Sequence, residues 1–230
     1  MSAFDPTTRY RWQRGGEGWS NDLGAFHREL DALAATLGFA VDELGPVFDR
    51  RLPLLHRPAA HTSAPRLLIA SGFHGEEAAG PWGVLTFMAD LGGLADRVHL
   101  TVLPLVNATG FALGQRFNTL GQNPNRGYLP IDAAYKPPVE GERLLAQRER
   151  LAAAARDGVL SCHEDVKTPF TYVYAFERSA TPGAFSQALV TTAGEHFKLH
   201  PDGEVDGAPI AGGVVFNHHD GSFESWLASE

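Results

Sequence analysis

Cysteine is almost missing from this 230-residue chain. Cys162 stands alone, so no intramolecular disulfide forms, and the expected setting is a reducing one, the cytoplasm. Long apolar runs are missing as well. No stretch approaches the ~18 consecutive apolar residues of a membrane-spanning helix, and the opening MSAFDPTTRYRWQRGGEGW has no apolar core of the signal-peptide kind. Basic clusters are also missing. Nineteen Lys and Arg against 27 Asp and Glu leave a net charge of −8, and a chain without a Lys/Arg patch is not expected to bind nucleic acid. The acidic balance says little about the substrate and leaves the oligomeric state open.

What is present is enough apolar residue, 43%, to bury a core of one large domain, with or without a small N-terminal extension. Residues 1–20, rich in Gly, Arg and Trp, have no period and read as an irregular arm in which Trp12 and Trp19 cover an apolar patch. Leu23, Phe26, Leu30, Leu33 and Leu37 recur at helical spacing, which predicts one or two helices over 22–44. Short apolar runs at 67–70, 98–106, 159–162, 172–174 and 214–216 read as strands. Between them, 77–92, 140–156 and 183–198 read as helices. This alternation predicts an α/β fold of three layers (αβα), a mixed, mostly parallel sheet with helices on both faces. Residues 115–139 hold many Asn, Gly and Pro and no apolar run, and so long a loop in a compact domain is usually functional.

The candidate chemistry starts at Ser71-Gly72-Phe73-His74-Gly75-Glu76-Glu77. A buried strand stops there, and His74 and Glu77, three residues apart, are able to aim an imidazole and a carboxylate at one ion. The competing reading is a helix start that favours acidic residues. His163 directly follows the apolar Val159–Cys162 run. Sites of open α/β sheets gather at the carboxyl ends of strands, so His163 is a third ligand or else an ordinary loop histidine. Arg116 and Arg126 lie in the long loop. One arginine is able to stabilise an oxyanion and the other to grip a carboxylate through its planar fork. Two solvated arginines would look the same.

Together these motifs resemble the zinc carboxypeptidase family. HxxE reads His74 to Glu77, N-x-x-G-[FY] reads Asn107 to Phe111, R-x-N-x-x-G-x-x-x-N-R reads Arg116 to Arg126, and the lone later histidine is His163. The match covers about residues 50–227. Ser161-Cys162-His163-Glu164-Asp165 with Phe170 and Tyr172 looks more like bacterial members, the murein-peptide amidases and the succinylglutamate desuccinylase/aspartoacylase branch.

The resemblance implies one zinc per chain on His74, Glu77 and His163, Arg116 polarising the scissile carbonyl, and Asn125 with Arg126 binding a substrate carboxylate. The substrate would be a small peptide or acyl amino acid. Residues 1–45 would be an arm and helix packed on the core, and 46–230 a carboxypeptidase-like domain lacking its C-terminal strand. The family's general-base glutamate belongs on a strand beyond Ser222, in Gly221-Ser222-Phe223-Glu224-Ser225-Trp226, and none aligns here. Three expectations follow. The gene product is longer; or the chain binds metal and ligand without turnover; or another carboxylate (Glu224, Glu230, Glu76, Glu164 or Asp165) takes the role. Phe216 stands where digestive relatives carry a substrate-binding tyrosine, leaving His218 and His219 as possible donors. Cys162 reads as a small core residue.

Overall fold

The structure, a computed structural model, describes residues 21–130, 136–165 and 167–230. Trp12 and Trp19 lie outside the described residues. The first helix, α1 (Leu23–Leu37), starts where the Asp22 side chain accepts from the Ala25 amide and stops at Gly38 in the left-handed region. Its apolar stripe of Phe26, Leu30 and Ala34 is buried.

A five-stranded sheet follows, built from β1 (Ala40–Glu43), β2 (Pro53–Arg57), β3 (Arg66–Ser71), β4 (His99–Leu103) and β5 (Val159–Cys162), in the order β1-β2-β4-β3-β5. Alternation along the strands sorts its side chains. Leu55, Ile69, Leu100 and Val102 pack with α1 and with α2 (Ala79–Ala89) on one face. Leu54, Leu68, Ala70 and Leu103 pack on the other face with Leu144, Leu151, Phe223 and Trp226. Those four residues come from α4 (Val139–Leu145), α5 (Arg148–Ala154) and α7 (Phe223–Ser229). This is the expected three-layer arrangement.

A second sheet joins β6 (Val173–Ala175), β7 (Gly203–Val205), β8 (Ala208–Ala211) and β9 (Val214–Phe216) in the order β6-β9-β8-β7. Helix α6 (Ala184–His196) contributes Val190 to one face, beside Ala175 and Val214.

Four points differ from the sequence expectation. The helical pattern predicted over 22–44 ends at Leu37, and Ala40–Glu43 pairs as β1 instead, once Gly38 has turned the chain. The strands near 173 and 214 form this separate sheet and do not extend the first. Mostly parallel pairing narrows to the neighbours β4, β3 and β5 and to β6 with β9, the other pairs being antiparallel. The helix expected over 140–156 is broken at Ala146 and Gln147 into α4 and α5. No Gly or Pro marks that break. Residues 115–130 hold neither helix nor strand. No described helix is long and apolar enough to cross a membrane.

Candidate metal centre

Strands β3 and β5 are parallel neighbours whose last residues, Ser71 and Cys162, stand opposite each other. This pairing brings His74, three residues past one strand end, beside His163, one past the other. The turn that carries His74 depends on two glycines. Gly72 holds φ +67°, and at Gly75 a Cβ would lie 2.0 Å from the backbone of Gly110, in the first turn of α3 (Ala108–Leu113). Helix α2 begins only at Ala79, so Glu76 and Glu77 precede it and serve no helix start. Instead Glu164 caps that helix by accepting from the Ala79 amide at 2.7 Å.

Glu77 lies between the two histidines. Its Oε1 is 2.7 Å from His74 Nδ1 and its Oε2 2.7 Å from His163 Nδ1. One ligand atom from each of the three residues falls within 4.8 Å of the others. The outer ring nitrogens are held as well. His74 Nε2 is 3.0 Å from Asn123 Oδ1, an acceptor, so with a metal on Nδ1 the ring would keep its remaining proton on Nε2. His163 Nε2 is 3.2 Å from Glu224 Oε1 and 3.1 Å from Ser161 Oγ. Two imidazole nitrogens and a carboxylate turned inward, each ring oriented from behind, make a donor set that fits zinc.

The charges reinforce this. Burial alone would raise the Glu77 carboxyl, but hydrogen bonds from His163 and His74 outweigh it and bring the pKa to about 2. Burial alone would lower His163, but hydrogen bonds to Glu224 and Glu77 raise it to about 10. Burial pushes the Cys162 thiol up to about 11, so it stays protonated as a packed side chain.

Arg116 reaches the same carboxylate: its Nη1 is 3.1 Å from Glu77 Oε1 and 3.1 Å from Glu76 Oε1. Asn125 is committed on both sides. Its Oδ1 accepts from the Phe223 amide at 2.9 Å, and its Nδ2 donates to Glu224 Oε2 at 3.1 Å. Arg126 pairs with Asp220 at 2.8 Å. His219 Nδ1 lies 2.8 Å from Ser225 Oγ, and Phe216 belongs to β9.

Glu224 sits behind His163, on the Nε2 side, where it holds that ring. Glu230 is held by Arg148 and the Trp226 indole, and Asp165 accepts from the Tyr172 hydroxyl. Sequence reading gave Asn123 no role, although its place two residues before Asn125 was a usable signal.

Residues 63–168 match the family model for the succinylglutamate desuccinylase/aspartoacylase catalytic domain. A solved Shewanella amazonensis protein, provisionally named a metallopeptidase, is 48% identical. The match covers 91% of this chain and 81% of that one, with a TM-score of 0.85. The chain belongs to the zinc carboxypeptidase-like family, on its succinylglutamate desuccinylase/aspartoacylase side. A second family structure, a Shewanella denitrificans protein with the same provisional name, is 45% identical over 100% of this chain and 86% of its own, with a TM-score of 0.85. The fold extends to bovine thrombin-activatable fibrinolysis inhibitor, at 12% identity, TM-score 0.61, over 92% of this chain and 84% of that one. No curated protein sequence matches.

Proposed function

We propose that this metallopeptidase-type chain is a zinc-dependent amide hydrolase acting on a small peptide or acyl amino acid with a free carboxylate. The observation that carries the reading is Glu77, which meets both inward histidine nitrogens and Arg116 with its two oxygens. His74, Glu77 and His163 would hold the metal. Zinc would supply Lewis acidity and an activated water.

The protein's own groups do the rest. Asn123 and Glu224 fix the two rings in place. Arg116, beside the centre, is positioned to stabilise negative charge developing on a scissile carbonyl oxygen. Arg126 has five donors, and its pairing with Asp220 leaves some of them to bind a substrate carboxylate.

A second reading has its own support. The described carboxylates that are candidates for the base are mostly spent: Glu224 on His163, Glu164 on the Ala79 amide, Asp165 on Tyr172 and Glu230 on Arg148. That favours a homologue that binds metal and ligand without turnover.

One experiment separates the two readings. Metal content is measured on tag-free protein, and hydrolysis is followed on N-acyl amino acids and peptides with a free or amidated C-terminus. The hydrolase reading expects about one zinc per chain and turnover lost to chelation. It also expects a rate at least about tenfold lower on amidated substrates, the scale of one lost charge-assisted contact. Zinc and ligand binding with no turnover supports the second reading, and absence of metal after zinc is added back sinks both.

A further inference from the structure

The loop 116–126 carries Arg116, Asn123, Asn125 and Arg126, yet it contains no helix or strand of its own. It is built around Asn118, which is buried. Asn118 Oδ1 accepts from the Leu120 and Gln122 amides, both at 3.0 Å. Its backbone closes the same turn, donating to the Gln122 carbonyl at 3.1 Å and accepting from Gly121 at 2.9 Å. Its Nδ2 donates to Gln122 Oε1 at 3.0 Å and to Glu140 Oε2 at 2.8 Å. Gln122 Oε1 also accepts from the Val139 amide at 3.2 Å. The turn is therefore bolted to the start of α4.

Glu140 is the unusual member. It is 1% exposed, and its Oε1 has no partner among the described residues. A buried carboxyl is costly unless its bonds are made, and an apolar side chain would fill the space without that cost. What the carboxyl adds is the bond to Asn118. The next residue after this knot is Asn123, whose Oδ1 holds His74 Nε2 and also accepts from the Asn125 amide at 3.0 Å. Asn125 in turn holds Glu224, the partner of His163. One buried carboxyl thus stands at the root of the supports behind both histidines.

We propose that Glu140 is a positioning residue that, through Asn118, sets Asn123 and Asn125 against the rings of His74 and His163. The inference rests on the metal-centre reading above. Burial raises the Glu140 carboxyl and the Asn118 bond opposes that rise. Charged or neutral, the carboxyl offers Asn118 an acceptor oxygen, and an amide oxygen serves equally.

The test compares full-length native chain, Glu140→Ala and Glu140→Gln. In the metal-free proteins, amide hydrogen exchange is read at Leu120 and Gln122, and the His74 Nε2–H by nitrogen-15 NMR. Zinc Kd is then measured by chelator competition. Glu140→Ala is expected to speed exchange at both amides about tenfold or more, weaken the Nε2–H signal and raise zinc Kd about tenfold, as loss of outer support does at metal sites. Exchange in β3 and β4 should stay native. Glu140→Gln is expected within about threefold of native on every readout, because an amide oxygen replaces the acceptor.

Unchanged exchange in Glu140→Ala, or lost protection with an intact His74 signal and native zinc Kd, overturns the inference. So does a Gln variant that behaves like Ala. If Glu140→Ala does not fold, Glu140→Asp, one methylene short of Asn118, carries the same expectation. A native chain that takes up no zinc removes the metal-centre reading, while exchange and the His74 signal still judge the brace.

Discussion

The two sides of the metal centre are built differently. His74 is 4% exposed and backed by a neutral amide oxygen, Asn123 Oδ1. His163 is 30% exposed and backed by a carboxylate, Glu224. A carboxylate behind an imidazole raises its basicity and favours its protonated form, whereas an amide orients the ring with little change in charge. The buried side therefore supplies a ring oriented by an amide, and the exposed side a strongly basic one whose proton a metal has to displace.

The largest expected effect removes what the two sides share. Glu77→Gln takes away the anion between both Nδ1 atoms, and zinc Kd, measured by chelator competition, should rise by more than about 100-fold. Retention of one zinc per chain with native Kd would put the metal elsewhere. Next is the carboxylate side alone: Glu224→Gln should raise zinc Kd roughly 10- to 100-fold and bring the His163 pKa down, read by NMR titration. Native values would mean Glu224 packs without orienting.

A pH series sharpens the same contrast. The metal-free His163 is held protonated up to about pH 10. Zinc binding must release that proton, so zinc Kd should rise roughly tenfold for each pH unit lowered below that value. In Glu224→Gln the dependence should flatten near neutrality.

Folding follows the same groups. Glu77, lowered to about 2, contributes stability that is present above its ordinary value of 4.5 and lost as pH falls toward 2. His163, raised, contributes fully below 6.5 and loses that contribution as pH passes about 10. Denaturant midpoints of metal-free protein should therefore fall off at both ends, and a flat profile would contradict the ion pairs. The smallest effect belongs to the amide side. Asn123→Asp converts His74 to the carboxylate-backed kind and should tighten zinc by only a few-fold, since the ring is already oriented. A loss of binding would show that the neutral partner matters in itself.

Much of this candidate centre was legible in the sequence. Short apolar runs ending at Ser71 and Cys162 placed His74 and His163 at strand ends, where α/β sites form, and residue type supplied the rest. The supports behind the rings were not legible. Asn123 lies 49 residues from His74, and Glu224 lies 61 from His163, and no spacing rule reaches across such gaps. Glu224 drew attention only as a stand-in base, because sequence does not say which ring nitrogen a carboxylate faces. The second sheet was missed for a similar reason: three-residue strands such as Val173–Ala175 carry too little pattern to name a neighbour.

Residue chemistry and period are local properties, so the residue types of the candidate centre and the αβα layering were readable from the chain alone, whereas the helix predicted over 22–44 in fact stops at Gly38. Which strands pair, that β3 and β5 lie side by side, and that an amide stands behind one histidine and a carboxylate behind the other emerge only from the folded chain. Those outcomes depend on packing between segments far apart in the chain, where burial and hydrogen-bond satisfaction choose among pairings that local sequence leaves equal.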